Sequence, residues 1–540
     1  MKVAILNHPF TDFYSSPKRM NCGALYYLGE IVKPHTYCAF DLVRNKKKEI
    51  RIPNSLRYLS EYTASDKTNY SFFQKYYKFG DAGLLDPDKF VAEEFDCVLV
   101  TTFAFCYFEG LKELIEYIRK FYRKPIIVGG SGVSSNPGYY LDNLDIDFAV
   151  KGPAELSLCK ILDSIEEGRE VDYKGVFSKE KRTASDNCAD YSFKPYVFLR
   201  GDTLMLQLTR GCPKDCAYCS IKLNSGDVYR KSPTDLLESA LQTRRLDGAK
   251  VYRINFEDDN LTYDWEYFEN VMEILKKNVG SFTFSFENGV DFTTLDERKI
   301  YKLIESGISQ WNLSLTSVNY DTLKNSKRNY ILELYDSIMN IIEKYNLPVI
   351  TYFISGLIGD KSDNILATIL YLAGKRTALG ISSFYPVPNT KAVLGLKEEI
   401  VPELAKGSSF YKWGDVSTKK LITLFMLSRF VNSIKTVTVK EWMDFSVKIF
   451  KKNADFYITG AMSDKTALSK TGILVSIINE DIYYCCKVGE EYIFRKRDLD
   501  DQIIKRFFFS IKNDIIIKNS GGEVISGEIW SGLWEKAYRS

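Results

Sequence analysis

Short apolar runs alternate with helical periodicities along most of the chain. Runs at 3–6, 97–100, 126–128 and 148–150 read as strands, and 23–32, 109–121 and 156–166 carry helical spacing. Strands alternating with helices predict an α/β, doubly wound, Rossmann-like parallel sheet over 1–166. Ile126-Ile127-Val128 runs into Gly129-Gly130-Ser131-Gly132, a glycine turn at a strand's C-terminal edge. Ligands of such sheets sit in the crevice beyond those edges. Stretch 45–91, rich in Lys, Arg, Tyr and Phe, interrupts the alternation. It reads as a solvated excursion with its own aromatic cluster, or else as an insertion that covers a site. Residues 167–203 are polar and irregular and read as a linker.

From residue 204 the beat becomes regular. Strands are expected at 204–209, 251–256, 282–286, 311–316, 349–354 and 381–384, with helices at 234–246, 265–277, 297–305, 332–345 and 364–375. Thr234, just after Pro233, reads as a helix N-cap. Six strands with five intervening helices predict an open (β/α)6 barrel over 204–390. In the full eight-fold barrel the chemistry lies at the C-terminal strand ends. From 391 the beat is lost. Residues 391–540 read as a mixed, mainly helical region, with 417–450 helical and short apolar runs such as Ile482-Tyr483-Tyr484 beyond.

Length sharpens this division. The 540 residues suggest three or four domains at roughly 150 residues each. Apolar residues are 45% and charged residues 26%, which excludes a disordered, collagenous or coiled-coil chain. Lys+Arg minus Asp+Glu is 73 − 70 = +3, too balanced for a nucleic-acid partner held by bulk charge. No apolar run reaches the roughly 18 residues of a membrane span. The run after Lys2 stops at Leu6, too short for a signal peptide. A cytoplasmic, reducing location is therefore expected, away from the membrane. There the 11 Cys do not form a disulfide framework. Eight of them (Cys22, Cys38, Cys97, Cys106, Cys159, Cys188, Cys485 and Cys486) read as small buried hydrophobes. With only His8 and His35, a three-His zinc site within the chain is excluded. Chemistry resting on imidazole is not expected.

The remaining three thiols carry the chemistry. Cys212, Cys216 and Cys219 form Cys-x3-Cys-x2-Cys directly after the first barrel strand. Three thiolates on one short loop suit a cubane 4Fe-4S cluster with one iron left open to a cofactor or substrate. Gly211 and Pro213 suit a loop that wraps a cluster closely. A structural zinc would need a fourth ligand, and no His or Cys lies near in sequence.

This motif, with Tyr218 before the third Cys and its place after strand one, resembles the radical S-adenosylmethionine (SAM) superfamily. The resemblance implies that the open iron chelates SAM. The reduced cluster then cleaves it to methionine and a 5′-deoxyadenosyl radical, which abstracts hydrogen from a substrate. It also implies an electron donor such as flavodoxin or ferredoxin. Glu257, Asp258 and Asp259 resemble the acidic end of strand two that meets the methionine amine. Phe286-Glu287-Asn288-Gly289 resembles the end of strand three. Arg328 stands where relatives place a partner for the methionine carboxylate, and Gly356 lies in a segment resembling the adenosine loop. Tyr385-Pro386-Val387-Pro388-Asn389-Thr390 resembles the turn after strand six. Two segments depart from the pattern. Leu315-Thr316-Ser317 replaces a Glu-Ser, which leaves the hydroxyls of Ser314 and Thr316, and Ile358-Gly359-Asp360 replaces Pro-Gly-Glu.

The N-terminal part resembles the cobalamin-binding domain of one large subgroup. Asn7-His8-Pro9, Asp147 to Glu155, and the loop Gly129, Gly130, Ser131 carry that likeness. The Asp-x-His-x-x-Gly cobalt-ligand motif is absent. A retained cobalamin and a degenerate domain kept for packing or substrate docking both remain open. The resemblance implies a radical enzyme acting on an unactivated carbon of a peptide or small molecule. Methyl transfer follows if cobalamin is held, and rearrangement or cross-linking if it is not. A non-catalytic cluster-binding protein is the reading from another class.

Overall fold

The computed structural model describes residues 1–13, 23–43, 46–62, 75–182, 193–244, 246–247, 250–435 and 498–513. It also gives the backbone of strands within 456–496 and 517–525. Cys22 and Cys188 lie outside the described residues, as do the side chains of Cys485 and Cys486 and the expected helix beyond residue 435.

The N-terminal sheet comprises β1 (Lys2–Asn7), β2 (Thr36–Phe40), β3 (Cys97–Thr101), β4 (Ile126–Gly129), β5 (Phe148–Val150) and β6 (Val176–Phe177), in the order β2-β1-β3-β4-β5-β6. The first five are parallel and β6 is antiparallel to β5. Alternate residues face two cores. Ala4, Leu6, Val98 and Val100 enter one, and Val3, Ile5, Cys97 and Leu99 the other. Helices α1 (Gly23–Ile31), α2 (Phe108–Ile118) and α3 (Leu158–Glu166) cover the sheet. A sheet buried on both faces needs such continuous apolar strands.

The described parts of the interruption at 45–91 are not a solvated excursion. Lys47–Glu49 and Tyr77–Phe79 form a small antiparallel sheet with Phe10–Asp12. The turn Asn54–Tyr62 buries Leu56, Leu59 and Tyr62 in the core of the second unit. Tyr58 donates to Ser409 O at 2.8 Å and Tyr62 to Asp498 O at 2.7 Å. Its amphipathic spacing is what makes it dock.

Segment 167–203, polar in sequence, contributes β6 and β7 (Tyr196–Arg200), which pairs antiparallel with the first barrel strand. The barrel strands follow as β8 (Thr203–Gln207), β9 (Tyr252–Phe256), β10 (Phe282–Phe286), β11 (Trp311–Thr316), β12 (Val349–Ser355) and β13 (Ala378–Ser383). β8-β9-β10 and β11-β12-β13 are parallel runs, joined by bridges Phe284↔Ile308 and Val290↔Leu313. Outside them lie α4 (Thr234–Gln242), α5 (Trp265–Val279), α6 (Glu297–Glu305), α7 (Leu332–Ile342) and α8 (Ser362–Ala373). Asp264 and Asp296 cap α5 and α6 with side-chain bonds to Tyr267 N and Lys299 N. Thr234 is the first helical residue, and Pro233 occupies the N-cap position.

The C-terminal part is mixed. Helix α9 (Thr418–Lys435) closes the barrel's far edge, with the Asn432 side chain pairing to both Leu379 N (2.7 Å) and Leu379 O (2.8 Å) of β13. A four-stranded antiparallel meander within 456–496 and helix α10 (Asp501–Asn513) complete it.

Candidate functional site

The cysteine loop leaves the barrel at the C-terminal end of β8. Thr209–Arg210 pair with Arg230–Lys231 as a short ribbon that carries the loop. Gly211 has φ +84, and a Cβ there would lie 2.3 Å from Val228 O, so only glycine fits. Two acids from the end of β9 hold this loop. Asp258 Oδ1 accepts from Leu208 N (2.8 Å), Thr209 N (2.5 Å) and Thr209 Oγ1 (2.7 Å). Asp259 Oδ2 accepts from Gly211 N at 2.8 Å. Burial pushes Asp258 up to about 7 and raises Asp259 as well. These two residues brace the cysteine loop. Glu257 is half-buried beside them, and Asn288 Nδ2 donates to Glu257 O at 2.8 Å.

The three thiols lie together and interact electrostatically. Burial raises Cys212 and pushes Cys219 up to about 12, with Cys216 adding to both shifts. Thiols held this way ionise only when a cation offsets their charge. Among the described residues, the group of three ligand atoms mutually within 4.8 Å is His35, Asp163 and Glu166, where the Met1 ammonium meets Glu166 at 2.9 Å. The three loop sulfurs do not all lie within 4.8 Å of one another, whereas one zinc at 2.3 Å from each would draw them to about 4 Å apart. The donor set fits a cluster better than a single ion.

Around the thiols stand polar groups that sequence reading missed or placed elsewhere. Asn260 Nδ2 donates to Cys212 Sγ at 3.5 Å. Arg328 Nη1 points to Cys216 Sγ at 3.9 Å, while its Nη2 donates to Asp291 Oδ1 (3.1 Å) and Ser314 O (3.2 Å). Burial opposes the Arg328 charge, but Asp291 and Cys216 hold its pKa above the usual value. Asp258 Oδ2, Asn260 Oδ1 and Arg328 Nε are buried with no hydrogen-bond partner among the described residues. Lys214 Nζ lies 3.4 Å from Asp291 Oδ2. Asp215, between Cys212 and Cys216, pairs with Lys391, Lys327 and Lys222, which hold its carboxyl well below the usual range.

The structure brings Tyr218 and Thr316 together. Tyr218 Oη and Thr316 Oγ1 are 2.9 Å apart. Thr316 sits at a bulge of β11 with φ +68, a strained conformation for a β-branched residue. Ser314 is half-buried two residues back on the same strand. Gly356 directly follows β12. Its φ is +80, and a Cβ there would meet Leu421 of α9 at 2.7 Å, so it serves the close approach of α9.

The loop Gly129, Gly130, Ser131 lies at the rim of a cavity of about 340 Å³ between the N-terminal sheet and the cysteine loop. Gly129, Gly130, Ser131 and Gly152 line one side, Arg210 and Asp259 the other. Gly130 has φ +103 with its Cα against Thr102 O, where a Cβ would approach to 2.3 Å. Arg210 pairs with Glu155 across this cavity and stacks on Phe193, with its guanidinium carbon 4.6 Å from the ring centroid. The two units also share a core, since Leu357, Phe384, Val393 and Trp413 join the cluster of Phe105, Val133 and Tyr140.

Residues 206–372 match the family described as the Radical SAM superfamily. These residues form a radical SAM domain. The domain thus spans β8 to α8 and contains all three loop cysteines. The family carries a 4Fe-4S cluster and SAM. A bacteriochlorophyllide d C-12(1)-methyltransferase of Chlorobaculum tepidum is 25% identical over 219 residues, 39% of this chain and 47% of that protein. A tryptophan 2-C-methyltransferase of Streptomyces laurentii is 34% identical over 64 residues, 12% of this chain and 11% of that protein. The chain thus spans less than half the length of either relative. The methyltransferase TsrM from Kitasatospora setae, solved with cobalamin and a [4Fe-4S] cluster, superposes with TM-score 0.52 at 15% identity over 73% of this chain and 74% of that one. OxsB, solved with aqua-cobalamin and SAM, gives TM-score 0.50 at 12% identity over 79% of this chain and 56% of that one. At these identities the likeness is one of fold. No described helix is long and apolar enough to cross a membrane.

Proposed function

We propose that this chain is a cobalamin-dependent radical SAM enzyme that methylates an unactivated carbon of a peptide or small-molecule substrate. The observation that carries this reading is the shared position of two sites. The cysteine loop and the glycine-lined cavity meet at Arg210 and Asp259, on the C-terminal edges of both sheets. Cys212, Cys216 and Cys219 would hold the cluster, which supplies the electron that cleaves SAM. The cavity, within the usual size of cofactor pockets, fits one end of a corrinoid, which supplies a carrier for the methyl group. Gly129 leaves that space open, because a Cβ there would meet nothing closer than Val150 at 3.8 Å.

The chain's own residues have definable tasks in this reading. Asp258 and Asp259 fix the loop so that its thiols converge. Tyr218, held by Thr316, forms a wall beside the third cysteine. The buried shared core keeps the two units in register and excludes water between them. An electron donor such as flavodoxin or ferredoxin, a cytoplasmic location and residue limits of 1–166, 167–203, 204–390 and 391–540 complete the proposal.

Anaerobic purification with cobalamin supplied tests the second site. Stoichiometric corrinoid absorbance is expected, together with its loss in Gly129→Phe, where the new ring would fill the cavity. Iron and SAM binding without any corrinoid would overturn methyl transfer and leave a cobalamin-independent radical reaction.

A further inference from the structure

Two side chains of this domain point N–H groups at the loop's cysteine sulfurs. Asn260 Nδ2 donates to Cys212 Sγ at 3.5 Å and Arg328 Nη1 to Cys216 Sγ at 3.9 Å. Both are buried, at 5% and 9% exposure. Arg328 is fixed independently by Asp291 Oδ1 and Ser314 O, so its orientation toward Cys216 is built into β11 and the segment after β10. Lys214 lies on the other oxygen of Asp291. The triad Lys214, Asp291 and Arg328 therefore carries one net positive charge beside the loop.

We propose that Asn260 and Arg328 set the reduction potential of the cluster, raising it by donating to Cys212 and Cys216. This inference rests on the cluster reading above. Reduction adds an electron to a group already held by three thiolates. Donors to those sulfurs stabilise the more negative state, and a buried guanidinium does so more strongly than a neutral amide. Arg328 thus acts through Cys216 rather than as a direct partner of a methionine carboxylate. The consequence is that a milder electron donor suffices to reduce this cluster.

The test is a potentiometric titration of the reconstituted full chain followed by electron paramagnetic resonance, for the parent, Arg328→Met, Arg328→Lys and Asn260→Ala. At a fixed solution potential, Arg328→Met is expected to lower the reduced-to-oxidised ratio about tenfold, which is ~59 mV for one electron. Asn260→Ala is expected to lower it several-fold, and Arg328→Lys to recover part of the loss by keeping the charge. Asn260→Ala keeps the test open if Arg328→Met does not fold, because it leaves the Asp291 contacts intact. Unchanged ratios in the folded, fully loaded variants overturn the inference while leaving the cluster reading intact. A parent chain that takes up no cluster overturns that reading instead.

Discussion

Asp258 is buried at the foot of the cysteine loop. Its place beside Glu257 and Asp259 suggests an ammonium partner, yet its three accepted bonds all go to the strand that launches the cysteine loop. Burial raises its pKa from the ordinary 3.8 to about 7. A carboxyl raised in the folded state contributes no penalty below its unfolded pKa and a growing one as pH climbs toward 7. The parent should therefore lose on the order of 4 kcal/mol relative to Asp258→Asn between pH 4 and 7. Urea unfolding at several pH values reads this directly, and parallel curves for the two proteins would refute it. The three cysteines and Tyr218 were legible in sequence because their spacing is local. Asn260 and Arg328 were not legible in their present role. Asn260 meets Cys212 across 48 positions, and Arg328 meets Cys216 across 112, and spacing carries no trace of such pairings.

At the level of elements, the periodicity of the barrel was read nearly residue for residue. All six expected strands are present, and β13 begins three residues earlier than its apolar run suggested, at Ala378 rather than 381. The strands of 167–203 escaped notice because β6 and β7 are short edge strands, two and five residues long, set in a polar stretch. The docking of Asn54–Tyr62 escaped for the opposite reason, since a few buried residues in a polar stretch look like solvated chain. The far edge of the barrel depends on one side chain. Asn432 supplies both hydrogen bonds that a seventh strand would otherwise give to Leu379. Its replacement by Ala should cost ~1–3 kcal/mol, because it strands a backbone donor and acceptor. A shift of the urea midpoint at unchanged slope would show this, and no shift would mean that water replaces the pair.

The whole molecule joins its two α/β units by more than contact. The pair Glu155–Arg210 and the shared core set the glycine-lined cavity against the cysteine loop. A buried network strengthens the join. Asp12 accepts from Tyr107 Oη at 2.9 Å and Ser408 Oγ at 2.6 Å, and the Lys406 ammonium donates to Tyr76 Oη at 2.8 Å. This arrangement gives physical sense to the scarcity of histidine. His8 is buried with its pKa pushed down to about 4, and His35 lies at the Met1 end of β1 beside Asp163 and Glu166, so neither stands at the cysteine loop. In this reading the three loop cysteines hold a cluster able to cleave SAM. Its most direct measurement is the 5′-deoxyadenosine formed from SAM by the anaerobically reconstituted chain under strong reductant, compared with Cys216→Ala. Formation by the parent and none by the variant is expected. Equal amounts from both, or none from a parent chain with a full complement of iron, would contradict it.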